Sequence, residues 1–293
     1  MRYAILSDVH GNAEALRAVF EDMDRYCDEH GGSISQVWCL GDVVGYGPEP
    51  GECVRMVRVW CDICIPGNHD WAAVGNIDLS GFGKSAAESA LWTKERIRPE
   101  DRVFLKNLPQ VTAVSDFTLA HGSPSNPIWE YLTTPSGAAP NFAAFETLFC
   151  MVGHSHLPMI FLQPIGARPV ATAPIQRAMR ETVALAMGMP GGPSKSMLEG
   201  HDEARSPSSQ WDRCQRVIPK EGIWTPPQGY RAIINPGSVG QPRDGDPRAA
   251  YVIYDSEIGF NFRRVPYNIA ATQRKIEAAG LSPQLAARLS RGI

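Results

Sequence analysis

Five short segments carry the side chains that could do chemistry: Asp8-Val9-His10-Gly11-Asn12, Gly41-Asp42, Gly67-Asn68-His69-Asp70, His121-Gly122 and Gly153-His154-Ser155-His156. Asp8, His10, Asp42, Asn68, His121, His154 and His156 offer carboxylate, imidazole and amide donors and no thiolate. That set suits zinc, manganese, iron or nickel rather than soft cluster chemistry. Seven donors are too many for one tetrahedral ion. They suit two ions roughly 3.5 to 4 Å apart, one carboxylate bridging and a water between the ions deprotonated near neutrality. Two aspartates against two divalent cations leave such a site positive, so a phosphate dianion is attracted and the charge that grows on it during in-line attack is stabilised. A lone histidine at a strand end is usually structural. Here five of the seven histidines, His10, His69, His121, His154 and His156, fall in glycine-flanked loops of one type, where glycine lets the chain turn tightly. His30, at a helix end, and His201 read as surface residues.

Each segment follows a run that reads as a strand. Residues 2 to 7, Val37 to Leu40 and Asp62 to Ile65 are such runs, separated by an amphipathic helix over 12 to 30 and a helix over Glu52 to Trp60 with Pro50 near its first turn. Leu16, Val19, Phe20, Met23 and Tyr26 share one face of the first helix, with Asn12 as a plausible N-cap and Gly31 as a stop. This βαβαβ opening predicts a parallel sheet. A helical middle over about 84 to 107, restarting at Pro99, leads to strands at Val111 to Val114, Phe117 to Ala120, Phe149 to Val152 and Met159 to Gln163. Late strands at Arg231 to Ile234, Ala249 to Asp255 and Gly259 to Val265 precede two C-terminal helices. The fold class is α/β, with two packed sheets flanked by helices. In open α/β sheets ligands bind beyond the carboxyl ends of strands, so five loops at such ends can converge despite their separation in sequence.

The chain is expected to form one domain over 1 to 293, interrupted at about 164 to 229 by a stretch rich in Pro, Gly, Ser and Met with poor periodicity. Such a stretch is either a lid that shapes the substrate site or a surface excursion. With 43% hydrophobic residues, 20% charged residues and a net charge of -3, the chain reads as an ordinary globular protein with no basic surface for nucleic acid. No run of about 18 apolar residues suggests a membrane span, and no leader precedes the first strand, so a cytoplasmic protein is expected. Cys61 and Cys64 form a CxxC, but a short strand would point them to opposite faces, so buried core cysteines are the default.

The ordered set DVHGN, GD, GNHD, HG and GHSH resembles the calcineurin-like metallophosphoesterase superfamily, and GDVVGYGPEP with INPGSVGQPRDGDPR is similar to its bacterial phosphodiesterase-like branch. The resemblance spans 1 to 163 and about 230 to 267. It implies a four-layer αββα sandwich of two mixed sheets and a binuclear centre. Asp8, His10 and His156 would hold one ion, Asn68, His121 and His154 the other, and Asp42 would bridge. His69 would contact the phosphate and protonate the leaving oxygen, with Asp70 orienting it. GDVVGYG lacks the second aspartate found after GD in many relatives, and GNHD has aspartate where glutamate is common; neither change removes a ligand.

The implied activity is hydrolysis of a phosphate ester, expected to be a small-molecule or nucleotide phosphodiester, by a hydroxide bridging two transition-metal ions, with His69 as general acid. A phosphomonoesterase, a phosphoprotein phosphatase and a hydrolase of dinucleoside polyphosphates compete with it. A non-catalytic metal-binding scaffold would be expected to have lost ligands or the acid, and this chain keeps them all. Arg243 could contact the substrate phosphate or pair with Asp244 or Asp246; Tyr46 could stack on a base or pack its loop; Asn12 could touch substrate or cap its helix.

Overall fold

The computed structural model describes residues 1–166 and 214–293. Its strands are β1 (Arg2–Leu6), β2 (Gln36–Cys39), β3 (Ile63–Cys64), β4 (Val111–Val114), β5 (Phe117–Ala120), β6 (Phe149–Met151), β7 (Met159–Pro164), β8 (Gln215–Val217), β9 (Gly222–Trp224), β10 (Tyr230–Asn235), β11 (Ala249–Asp255) and β12 (Gly259–Val265). The helices described are α1 (Ala13–His30), α2 (Pro50–Trp60), α3 (Asn68–Val74), α4 (Lys84–Arg96), α5 (Pro99–Lys106), α6 (Pro135–Ala138), α7 (Ile269–Ala278) and α8 (Pro283–Leu289).

Two six-stranded sheets result, in the orders β3-β2-β1-β11-β12-β9 and β4-β5-β6-β10-β7-β8. The βαβαβ opening is parallel as expected, with Leu6 opposite Cys39 and Cys39 opposite Cys64. Antiparallel β11 joins β1 on its other side, and β5, β6 and β10 run parallel in the second sheet. Both sheets are therefore mixed.

Alternation along the strands builds the layers, because successive side chains point to opposite faces. Tyr3, Ile5, Trp38 and Phe260 face Phe117, Leu119, Phe149 and Ile234 between the sheets. Ala4, Leu6, Cys39, Tyr251 and Ile253 face outward and are covered by Leu16, Val19 and Met23 of α1 and Val54 and Val57 of α2. Cys150, Phe161 and Ile233 on the outer face of the second sheet meet Leu132, Ala138 and Phe142.

Two features depart from the sequence reading. Residues 167–213, on which the choice between lid and excursion falls, lie outside the described residues. The end of that stretch belongs to the sheets: β8 pairs with β7, and β9 pairs with β12. Three-residue strands are too short for alternation to show. The CxxC straddles two elements, Cys61 ending α2 and Cys64 lying on β3, and all seven cysteines are free. Burial pushes the Cys61 thiol well above its ordinary range, which makes it a poor nucleophile.

Asn12 is a tie between three segments. Its Oδ1 accepts from the Ala15 N–H at 3.2 Å, capping α1, and from Thr272 Oγ1 of α7 at 3.0 Å. Its Nδ2 donates to the Gly240 carbonyl at 2.9 Å. Lys275 adds ion pairs from α7 to Glu14 at 2.7 Å and Glu49 at 2.9 Å. Asn12→Ala should remove the cap and leave the buried Thr272 hydroxyl and Gly240 carbonyl short of partners. The expected cost is about 2 kcal/mol, read as a lower urea midpoint at unchanged slope.

Candidate metal centre

The five chemical segments leave the carboxyl ends of β1, β2, β3, β5 and β6, and a sixth, from Asn235 to Arg243, leaves β10. Since these strands run parallel within their sheets, their ends share an edge. Main-chain bonds lace the loops together: Asp8 N–H to the Gly41 carbonyl at 3.0 Å, His10 N–H to the Asp42 carbonyl at 2.8 Å, and Gly153 N–H to the His121 carbonyl at 2.7 Å. The turns are sharp. Asp8, His10, Asp42, Tyr46, His154 and His156 all have φ between 49° and 65°. Left-handed backbone at so many non-glycine residues stores strain that the surrounding contacts must hold, and it aims these side chains inward. Gly67 and Gly45 make room, since a Cβ would strike the Asp42 carboxylate at the first and the His69 ring at the second.

The ligand-capable atoms converge in two groups that share Asp42. Those of Asp8, His10, Asp42 and His156 lie within 4.8 Å of one another, as do those of Asp42, His121 and His154, and every one of these residues is buried. Three imidazoles are oriented from behind, their Nδ1 donating to carbonyls: His10 to Val44 at 3.2 Å, His121 to Leu40 at 2.8 Å and His156 to Gln241 at 2.6 Å. Nε2 is then the unprotonated atom in each neutral ring, the arrangement that metal-binding histidines use. The Nε2 atoms of His10 and His156 stand 3.0 Å apart, so two lone pairs face each other with no proton to share. Asn68 Oδ1 and His154 Nε2 are buried with no hydrogen-bond partner among the described residues. Orphaned acceptors and facing lone pairs are costly unless a cation sits among them. The donor set therefore fits a metal.

Asp42 divides its two oxygens. Oδ1 accepts the His69 N–H at 2.8 Å, while Oδ2 lies 3.4 Å from His121 Nε2 and 3.6 Å from His10 Nε2, between the two groups. Asp8 sits 3.3 Å from His156 Nε2 and accepts the His154 N–H at 3.2 Å. Burial opposes charge on His121, yet Asp42 and Asp8 more than offset it and push the imidazole up to about 10. Burial raises Asp8 to about 7, with Asp42 adding to it. In the ion-free protein protons thus occupy places that suit cations.

The remaining candidates divide. His69 is buried beside Tyr46 at 4.4 Å and Phe82 at 5.0 Å between ring centres, and burial lowers it to about 4. Asp70 does not orient it, contrary to expectation: its Oδ1 accepts the Val44 N–H and its Oδ2 the Gly67 N–H, each at 3.0 Å. As third residue of α3 it caps that helix, so its carboxylate turns back to the loops. The contacts of Asn12 are those of a cap. Tyr46 packs against His69 and, at 4.8 Å, against His10. Arg243 does not pair with its neighbours, since Asp244 holds Arg264 and Asp246 holds Arg248. Its charge instead joins burial in keeping His156 well below the usual imidazole range. Sequence reasoning missed Tyr131, 53% exposed, whose ring stacks on His154 at 3.8 Å. It also missed the Gln241 carbonyl behind His156, although the NPGSVGQPR segment that carries it was in view.

The model of the calcineurin-like phosphoesterase family matches residues 1–158. An uncharacterized protein of Methanocaldococcus jannaschii is 31% identical over 295 residues, spanning 99% of this chain and 97% of its own. Among solved structures, a metallophosphoesterase from Sphaerobacter thermophilus is 36% identical with a TM-score of 0.73, the match covering 100% of this chain and 99% of that one. A hypothetical protein from Pyrococcus horikoshii shares the fold at 17% identity and a TM-score of 0.68, covering 100% and 98%. The chain belongs to the calcineurin-like phosphoesterase family and is a metal-dependent hydrolase of phosphate esters.

Proposed function

We propose that this protein hydrolyses a small-molecule or nucleotide phosphodiester at a binuclear centre. Asp8, His10 and His156 hold one ion, Asn68, His121 and His154 the other, and Asp42 bridges. The observation that carries this reading is the pair of donor groups meeting at one oxygen, Asp42 Oδ2, with the opposed Nε2 atoms of His10 and His156 on one side and His121 Nε2 on the other. When bound, two divalent ions, of manganese, iron, zinc or nickel, supply Lewis acidity to the phosphoryl oxygens and lower the pKa of a shared water.

The chain's own residues do the rest. Carbonyls behind His10, His121 and His156 fix the imidazole tautomers, so the donors need no reorganisation. His69, carried next to the bridge by its N–H bond to Asp42, protonates the leaving oxygen. Its pKa of about 4 leaves it neutral at pH 7 without substrate; a bound phosphodiester, being negative, raises it, and His69 then takes its proton from solvent. Arg243 neutralises part of the charge on the phosphoryl oxygens.

Three outcomes follow from these roles. Asp42→Asn should lose bound metal, counted by elemental analysis, together with activity by a factor on the order of a hundred or more; retained metal at full occupancy would remove the bridge. His69→Asn should keep its metal and lose roughly 10² or more in turnover on an alkyl ester, yet less than about tenfold on a 4-nitrophenyl ester, whose leaving group needs no proton. Equal losses on both would rule out the acid. Loading must displace protons from His121 and Asp8, so metal affinity measured by calorimetry should weaken steeply as pH falls from 8 to 6, through the range where Asp8 takes up its proton. Affinity that does not change between those pH values would contradict the assignment of Asp8.

A further inference from the structure

Between His121 and α6 the chain reads HGSPSNPIWEYL, with Trp129 and Tyr131 on either side of Glu130. Glu130 is turned into the loop, where its carboxylate accepts from the Ser123 hydroxyl and from Asn141 Nδ2 at 3.3 Å. The loop folds tightly behind it: the Gly122 N–H donates to the Pro127 carbonyl at 2.6 Å, and a Cβ at Gly122 would strike the Asn126 carbonyl and the Glu130 nitrogen. The two aromatic neighbours reach the metal centre instead. Tyr131 stacks on His154, the ring centres 3.8 Å apart and the planes inclined by 26°. Trp129 meets Phe82 edge-on at 5.3 Å, and Phe82, from the turn between α3 and α4, meets His69 edge-on at 5.0 Å.

Two runs of aromatic contact therefore start in one loop and end on two sides of the centre, one on a candidate ligand and the other on His69. The rings are not closed off. Tyr131 is 53% exposed although one face of its ring lies on His154, and Trp129 and Phe82 are half-buried. Flat apolar surface of this kind gains by contact with another ring, and the gain depends little on which ring it is, since every aromatic group has a face to stack. In the function proposed above His69 protonates the leaving oxygen. The leaving group then lies on the side of the centre where Phe82 and Trp129 stand.

We propose that Phe82, Trp129 and Tyr131 form a shelf for a planar aromatic ring, and that the preferred ester carries such a ring, a nucleobase or an aryl group, on the alcohol that leaves. The shelf determines specificity and takes no part in the proton transfer. This inference rests on the phosphoesterase reading and names the leaving group that the site favours.

The test is calorimetric binding of two matched pairs of probes to the full chain with excess manganese: benzylphosphonate against cyclohexylmethylphosphonate, and thymidine 5′-phosphate against deoxyribose 5-phosphate. In at least one pair the member with the planar ring should bind on the order of tenfold more tightly. Tyr131→Ala and Trp129→Leu should each remove most of that preference and leave the other member of the pair within about twofold, whereas Tyr131→Phe should keep it, as should Trp60→Leu at an exposed aromatic on α2. Because Tyr131 touches a candidate ligand, manganese is counted in each variant, and where Tyr131→Ala has lost it Trp129→Leu decides. Should Trp129→Leu not fold, as judged by its thermal midpoint, Phe82→Leu takes its place. Loss of the thymidine preference in the variants upholds the shelf and names a nucleobase; loss confined to the benzyl pair upholds it and names an aryl group. No preference in either pair, or one that folded, metal-loaded variants retain, overturns the shelf. Ring preference without hydrolysis of any diester would uphold the shelf and remove the hydrolase reading; metal-dependent hydrolysis with no ring preference would overturn the shelf alone.

Discussion

Two carboxylates and four imidazoles are buried together in one place, and the rest of the structure answers to the cost of that. Buried polar atoms without partners are expensive, and buried charges more so. Asp8, His10, Asp42, His121, His154 and His156 are each at most 2% exposed, yet several of their outward atoms lack ordinary partners. A hydrophobic core would not tolerate this arrangement on its own account. Cations relieve it, which is why the same residues that destabilise the ion-free protein define its chemistry.

Rigidity at that point has to be imposed from several directions. Strand order does the coarse work, since β1 lies at the centre of the first sheet with parallel β2 and β3 beside it, and β5, β6 and β10 run parallel in the second. Left-handed backbone at five of the candidate ligands does the fine work, and main-chain bonds between loops hold those turns in place. Asp42 joins both scales: one of its oxygens fixes the start of α3 through the His69 N–H, and the other faces both donor groups. One carboxylate therefore ties the placement of His69 to both donor groups.

Legibility in the sequence followed the length and locality of each signal. The long amphipathic α1 and the five glycine-flanked motifs could be read directly, because period and residue type are properties of contiguous residues. β8 and β9 could not, being three residues each and defined by their partners in the sheets. Asp70 was misread for a related reason: adjacency to His69 suggests a contact, whereas helical geometry at α3 turns the carboxylate back to Gly67 and Val44. Arg243 was left open between substrate and a local ion pair, and the pairing of Asp244 with Arg264 and of Asp246 with Arg248 closes the second option. Tyr131 on His154 joins distant parts of the chain and leaves no local trace.

One feature of the second sheet bears on how this chain can change. β7 and β8 are antiparallel neighbours, with Leu162 opposite Gln215, so the chain leaves and re-enters the sheet at almost the same spot. Closing a loop between two such anchored points costs only slowly more as the loop grows, about 0.6 kcal/mol for each doubling of its length. The sheet register and the donor groups described above are formed by residues on either side of that point. At the edge formed by β7 and β8, the two ends of the chain are thus held side by side by the sheet itself, and a change of length between them would cost little in closure entropy.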